Sequence, residues 1–213
     1  MTLRSLVVVL VIGAVAGLQG CAVAVVGAGV GAVLAAEDRR TAGIQIEDER
    51  IELVVSNRIG DRYSNKAQTS VTAFNRHVLL TGEVPDEQAK AEIGKLVAAV
   101  SNVREVFNEL QVAGSSTLTS RSNDAFLTSK IKARFVDAGQ FSAVHVKVVT
   151  EAAVVYLLGL VTEKEASDAT EIARTTGGVR RVIKVFQYCR TDEDVCRPRT
   201  PPKPAAAPAP AQK

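Results

Sequence analysis

An internal repeat narrows the fold more than any other feature of this chain. Residues 79–84, Leu-Leu-Thr-Gly-Glu-Val, recur as Tyr-Leu-Leu-Gly-Leu-Val at 156–161. Gly82 and Gly159 set the offset at 77, while Val103 and Val106 match Val179 and Val182 at 76, so one residue is lost between. Repetition at this spacing means two copies of one supersecondary unit rather than a single large core.

Each copy reads helix, strand, strand, helix, strand. In the first, Ile51, Val55 and Ile59 recur at helical spacing from Glu47 onward, with Val54 beside them. Strand-like runs at 69–74 and 77–84 are separated only by Asn75-Arg76, which predicts an antiparallel hairpin with Asn75 tolerating a left-handed conformation. Pro85-Asp86 opens a second helix carrying Ala89, Ile93, Leu96, Val97 and Val100. Ser101-Asn102 ends it before a third strand at 103–110. In the second copy, residues 123–136 align Leu127, Ile131 and Phe135 on one helical stripe. Strands at 144–150 and 154–161, a helix at 163–176, a Gly177-Gly178 stop and a strand at 179–187 follow. The second hairpin turn, Glu151-Ala152-Ala153, has neither Gly nor Asn, which leaves its geometry open.

This order limits the topology. The hairpin pairs strands one and two antiparallel, and the intervening helix is long enough for a right-handed crossover that returns strand three as a parallel neighbour. The expected class is α+β: two modules, each a three-stranded mixed sheet with two helices on one face. The mid-strand glycines at 82 and 159 point to close helix-on-sheet packing. Thr162-Glu163-Lys164-Glu165 reads as a capping box, with Pro85 in that place in the first copy. A module of about 65 residues buries little surface, so the copies are expected to dock.

The N-terminus carries an address. Arg4 precedes an apolar run from Leu6 that ends in Leu18-Gln19-Gly20-Cys21, the layout of a secretory signal. Leu-x-Gly-Cys looks like a bacterial lipobox, in which the Cys21 thiol is acylated and residues 1–20 are removed; a plain signal with an incidental Cys is the alternative. Residues 22–36 are uncharged and Gly-rich, too short to span a bilayer comfortably once cut at Cys21. They read as a tether, or as a glycine-zipper packing segment, before charge returns at Glu37-Asp38-Arg39-Arg40. The expected divisions are 1–20 signal, 21–46 tether and linker, 47–112 first module, 113–121 linker, 122–188 second module and 189–213 tail.

The hairpin ending in Leu-x-Gly-x-Val, the helix after it and the Val-x-x-Val closing strand resemble the BON domain, a module of bacterial envelope proteins. Further resemblance lies in Ser122-Asn123-Asp124, Val146-Lys147-Val148 and Leu158-Gly159-Leu160-Val161-Thr162-Glu163. Two such modules behind a lipobox are similar to dual-BON outer-membrane lipoproteins. That resemblance implies a non-enzymatic, cofactor-free protein on the periplasmic face of the outer membrane. It also implies binding of anionic phospholipids, phosphatidylglycerol and cardiolipin, through the second module, with a role in envelope integrity at the division site. Ala22 after the lipidated Cys implies export to the outer membrane. A structural adaptor for another envelope protein is the alternative, and an unrecognised enzyme a third reading.

The residues themselves offer no active site. His77 and His145 fall in predicted strands without a neighbouring nucleophile and read as sheet-surface residues. Glu87, Glu92, Glu165 and Glu171 read as a solvated helix face. A formal net charge of +3 over 213 residues gives no sign of a nucleic-acid binder. Cys189 and Cys196 would pair as a disulfide in an oxidising compartment or stay as free thiols, and no His lies near them for a metal. Six of the seven prolines follow them, reading as an extended or disordered end.

Comparing the first helices of the two copies locates the expected lipid site. Residues 47–62 hold five acids and three bases, whereas 121–136 hold Arg121, Lys130, Lys132 and Arg134 against Asp124 alone. Opposite the Leu127, Ile131, Phe135 stripe fall Phe126, Ser129, Ala133 and Val136, flanked by Lys130 and Lys132. Phe126, Ser129, Lys130, Lys132, Ala133, Arg134 and Val136 are the candidate phospholipid contacts. In the alternative, Phe126 packs on the first module or is an isolated exposed apolar residue.

Overall fold

The computed structural model describes residues 38–113, 118–193 and 195–196. The expected signal, Cys21, the expected tether and the residues from 197 onward lie outside the described residues. The elements are α1 (Ala42–Tyr63), β1 (Gln68–Phe74), β2 (His77–Val84), α2 (Glu87–Ala98), β3 (Glu105–Asn108) and β4 (Gln111–Val112) in the first module. The second holds α3 (Leu118–Ala138), β5 (Val146–Glu151), β6 (Val154–Val161), α4 (Glu163–Arg174) and β7 (Arg181–Tyr188).

Both sheets are mixed. In the first, β2 pairs antiparallel with β1 and parallel with β3 and β4; in the second, β6 pairs antiparallel with β5 and parallel with β7. The third strand of the first copy, expected as one piece, is two. Its ladder runs from His77–Glu105 to Leu80–Asn108 and resumes at Glu83–Gln111 in the same register. The gap lies opposite Thr81 and Gly82, and Gly82 has a φ of +108°.

Alternation on β2 sorts the layers. Val78, Leu80 and Val84 join Ile51, Val55 and Ile59 of α1 and Ala89, Ile93 and Val97 of α2 in one core. The second module repeats this with Ile131 and Phe135 of α3, Val155, Leu157 and Val161 of β6, and Ala166, Ala169, Ile172 and Ala173 of α4. Each sheet therefore carries its two helices on one face. The opposite faces meet: Phe74, Leu79 and Phe107 pack with Tyr156, Leu158 and Val185 in a third core. Fully burying a side chain of this size is worth about 1.5–3 kcal/mol, so docking adds a shared core to the one each small module has. Glu52–Lys147 (3.1 Å) and Asn75–Gln187 (2.6 Å) bridge the modules at the edge of that core.

Several expectations are corrected. α1 starts at Ala42, ahead of the apolar period, because the Thr41 hydroxyl caps it by accepting from Ile44 N–H. α3 likewise starts at Leu118, inside the expected linker. The cap of α2 is Asp86, whose carboxylate accepts from Ala89 N–H at 2.7 Å, and not Pro85; a pyrrolidine has no acceptor to offer. His145 lies in a short 3₁₀ turn, Ala143–His145, and β5 begins after it. The strand glycines answer to their antiparallel partners, not to the helices. A Cβ at Gly82 would strike the Gln68 carbonyl oxygen, and one at Gly159 that of His145.

Candidate functional site

On α3 the structure buries Leu127, Ile131 and Phe135 and turns the opposite stripe outward. Phe126 is 64 % exposed and Val136 68 %, with Ser129 and Ala133 exposed between them. Phe126 therefore does not pack on the first module. Ser129 donates to the Ala125 carbonyl within the helix. Lys130 and Lys132 flank the stripe, both exposed, and Lys130 Nζ also reaches the Gly177 carbonyl at 3.3 Å.

Arg134 has a different occupation. It donates to the Ile172 carbonyl at 2.7 Å and to the Thr176 and Thr175 hydroxyls at 2.5 and 3.1 Å. A guanidinium there satisfies the last carbonyls of α4 and meets the negative end of its dipole. It fastens α3 to α4, which leaves the two lysines as the cations of the outer stripe.

Sequence reading missed a pair of buried aspartates. Asp48 accepts from Asn75 and Arg76 N–H at 2.8 and 2.7 Å, and Asp124 from Ala152 and Ala153 N–H at 2.9 and 2.8 Å. Both hairpin turns have positive φ at their two central residues, +49° and +68° in the first, +49° and +60° in the second. This is the type I′ geometry, and alanine reaches it only against a steric penalty. The aspartates hold these turns to the first helix of each module. The signal was available: Asp48 and Asp124 are 76 residues apart, matched acids in helices of otherwise different charge.

A second missed cluster joins the modules. Arg39 grips Glu165 with both terminal nitrogens at 2.7 and 3.0 Å and donates to the Leu160 carbonyl at 2.9 Å. Its neighbour Arg40 pairs with Asp48 at 2.9 Å and lies 4.1 Å over the Phe74 ring. Consecutive arginines thus enter different modules. Glu165 completes the capping box and contacts His145 Nδ1 at 3.3 Å, so it is not on a solvated face. Burial would raise its pKa, but the hydrogen bonds from His145, Arg39 and Thr162 N–H outweigh that and hold it well below the usual carboxylate range.

His77 is not a surface residue either. Its side chain is 17 % exposed, 3.6 Å from Glu105 and tilted against Phe107. Burial pushes its pKa down, with Arg104 adding to this and Glu105 opposing it. Glu83 and Glu151 line a cleft of about 680 Å³ between the modules, where burial and then Glu83 and Asp124 push Glu151 upward. Tyr156, within the shared core, is pushed up to about 12, first by burial. Among the described residues no group of three or more His, Cys, Asp or Glu is placed to hold a metal, and no helix is long and apolar enough to cross a membrane. Cys189 and Cys196 are joined by a disulfide, with Cα atoms 6.0 Å apart.

Comparison with known proteins places this arrangement. The profile described as "BON domain" matches residues 47–114 and again 123–190. The chain is 40 % identical over 181 residues to "Outer membrane lipoprotein DolP" of Haemophilus influenzae, covering 84 % of this chain and 94 % of that protein. It is 33 % identical over 153 residues to "21 kDa hemolysin" of Actinobacillus pleuropneumoniae, covering 71 % of this chain and 79 % of that protein. With two profile matches spanning more than half its length, each on a helix-strand-strand-helix-strand module, the chain belongs to the BON-domain family.

Proposed function

We propose that this protein is an outer-membrane lipoprotein, acylated at Cys21, whose second module recognises anionic phospholipid through the outer face of α3. The observation that carries the reading is the exposure of Phe126 and Val136 on one helical stripe flanked by Lys130 and Lys132. An aromatic ring and a branched aliphatic can enter the headgroup boundary while the ammonium groups meet phosphates. The H. influenzae relative bears the name of an outer-membrane lipoprotein, which supports the location. Binding is non-enzymatic and serves envelope integrity at the site of division.

Sedimentation with phosphatidylglycerol vesicles tests it. A lysine near an anionic surface is worth about 1 kcal/mol. Lys130→Glu with Lys132→Glu therefore weakens binding at least about tenfold, Phe126→Ala weakens it less, and Arg58→Glu on α1 leaves it unchanged. Folded protein with both reversals sedimenting like the parent would rule out α3 as the lipid site. A protein-binding role has one observation in its favour: Ile46 and Leu53 on α1 are 67 % and 62 % exposed, two turns apart. An adaptor using that face would lose its partner on Ile46→Ser with Leu53→Ser while keeping vesicle binding.

A further inference from the structure

We propose that the groove between α4 and β7 binds the chain's own proline-rich end, residues 197–204. The groove, about 340 Å³, is lined by Glu163, Ala166, Thr170 and Glu171 of α4 and by Lys184 and Tyr188 of β7. Tyr188 is 49 % exposed and its ring stands edge-on to Phe186 at 6.3 Å. β7 is an edge strand, since the sheet order is β5-β6-β7. An exposed ring beside small side chains, next to unpaired strand N–H groups, suits a polyproline segment. Proline rings pack on the aromatic and their carbonyls accept from the edge, while proline lacks the N–H needed to extend the sheet further.

Three features choose this occupant. The first is position: Cys189 directly follows Tyr188, and the disulfide holds Cys196 within 6.0 Å of it, Cα to Cα. The described chain thus returns, at Cys196, to the C-terminal end of β7. The second is composition: 197–204 reads Arg-Pro-Arg-Thr-Pro-Pro-Lys-Pro, with three bases and no acid. Glu163 and Glu171 are both exposed on the groove's rim opposite Lys184 of β7, and among the described residues Glu171 pairs with the exposed Arg174.

The third is spacing. α4 follows β6 and so starts at the end of the sheet where β7 finishes. A segment running back from Cys196 along β7 travels in the direction of α4. Glu163 and Glu171 are eight helical residues apart, about 12 Å, and Arg199 and Lys203, four residues apart, would span about 12 Å in the polyproline conformation of the proposed complex. The two acids and the two bases thus come into register. So short a connection sets an effective concentration of roughly millimolar, so a contact of only millimolar intrinsic affinity is substantially formed.

A photoreactive phenylalanine analogue at Tyr188 of the full chain tests this, with the cross-links mapped by mass spectrometry. Tyr188 is surface-exposed and residues 197–204 lie beyond both modules, so the variants keep the fold. The expected result is an intrachain cross-link to 197–204, independent of protein concentration. Arg199→Glu with Lys203→Glu lowers its yield at least about threefold, and reduction of Cys189–Cys196 lowers it as well by lengthening the connection. Cross-links only to a second copy, only to other polypeptides or only to other parts of the chain would overturn the proposal. So would a yield that the two charge reversals leave unchanged.

Discussion

Asp124→Ala is the substitution that most directly tests how the second module is held together. Asp124 is 5 % exposed and its carboxylate takes two backbone N–H bonds, from Ala152 at 2.9 Å and Ala153 at 2.8 Å. Hydrogen bonds to a charged group contribute about 1.5–3 kcal/mol each. Part of that loss is recovered because Ala152 is exposed and water can reach its N–H. The strain of the turn itself, two alanines at φ +49° and +60° at roughly 1–2 kcal/mol apiece, is present in parent and variant alike and does not add to the difference. The expected loss is therefore about 3 kcal/mol, or roughly 6–12 °C in melting temperature for a body of this size. Asp124→Asn keeps one acceptor and should lose about half as much.

The converse variant isolates the turn. Ala152→Asn with Ala153→Gly supplies residues that accept positive φ and should stabilise the protein by about 1 kcal/mol. In the Asp124→Ala background the same turn should recover more than it adds to the parent, since the clamp and the strain it restrains are coupled. Urea unfolding followed by circular dichroism, with hydrogen exchange at 150–155, measures all four proteins. A loss under about 1 kcal/mol for Asp124→Ala, or destabilisation by the Asn-Gly turn, would refute the reasoning.

Two further predictions concern the interior. The folded-state pKa of His77 lies below its ordinary 6.5 because the ring is buried. As pH falls through 6.5 the unfolded chain takes up a proton that the folded one refuses, so stability declines from neutral pH toward pH 5. His77→Gln should flatten that slope in pH-dependent urea melts, and an unchanged slope would mean that another group is responsible. Gly159→Ala places a Cβ against the His145 carbonyl oxygen without any positive-φ requirement. It should cost about 3 kcal/mol through strand separation, seen as a lowered melting temperature, and wild-type stability would show that β5 can yield.

Much of this architecture is written locally. Helical periods such as Ile51, Val55, Ile59 and Leu127, Ile131, Phe135 name their buried faces because a helix can bury only one stripe. Alternation along β2 and β6 likewise names both faces of each sheet, and Gly82 and Gly159 mark a close approach. The capping box at Thr162 is equally local: its donors and acceptors are three residues apart. The outward stripe of α3, Phe126 to Val136, followed from the same geometry.

Other assignments needed the tertiary structure. Nothing local says that Gly82 makes room for Gln68 rather than for a helix, because the identity of the approaching backbone depends on strand pairing. Glu165 looks like any solvent-facing glutamate until Arg39, 126 residues away in sequence, closes on it. Arg134 counts as a lipid-facing cation by charge alone, yet the end of α4 lies within its reach and claims it. Asp124 reads as one acid in a basic helix, although it stabilises a turn that Ala152-Ala153 would disfavour by themselves. The sequence determined the repeat, the class and the exposed stripe because these follow from the period of side chains along a single element. Which charges remain outward, and what closes each turn, are decided by groups distant in sequence that meet only when the two sheets dock and the helices cross them.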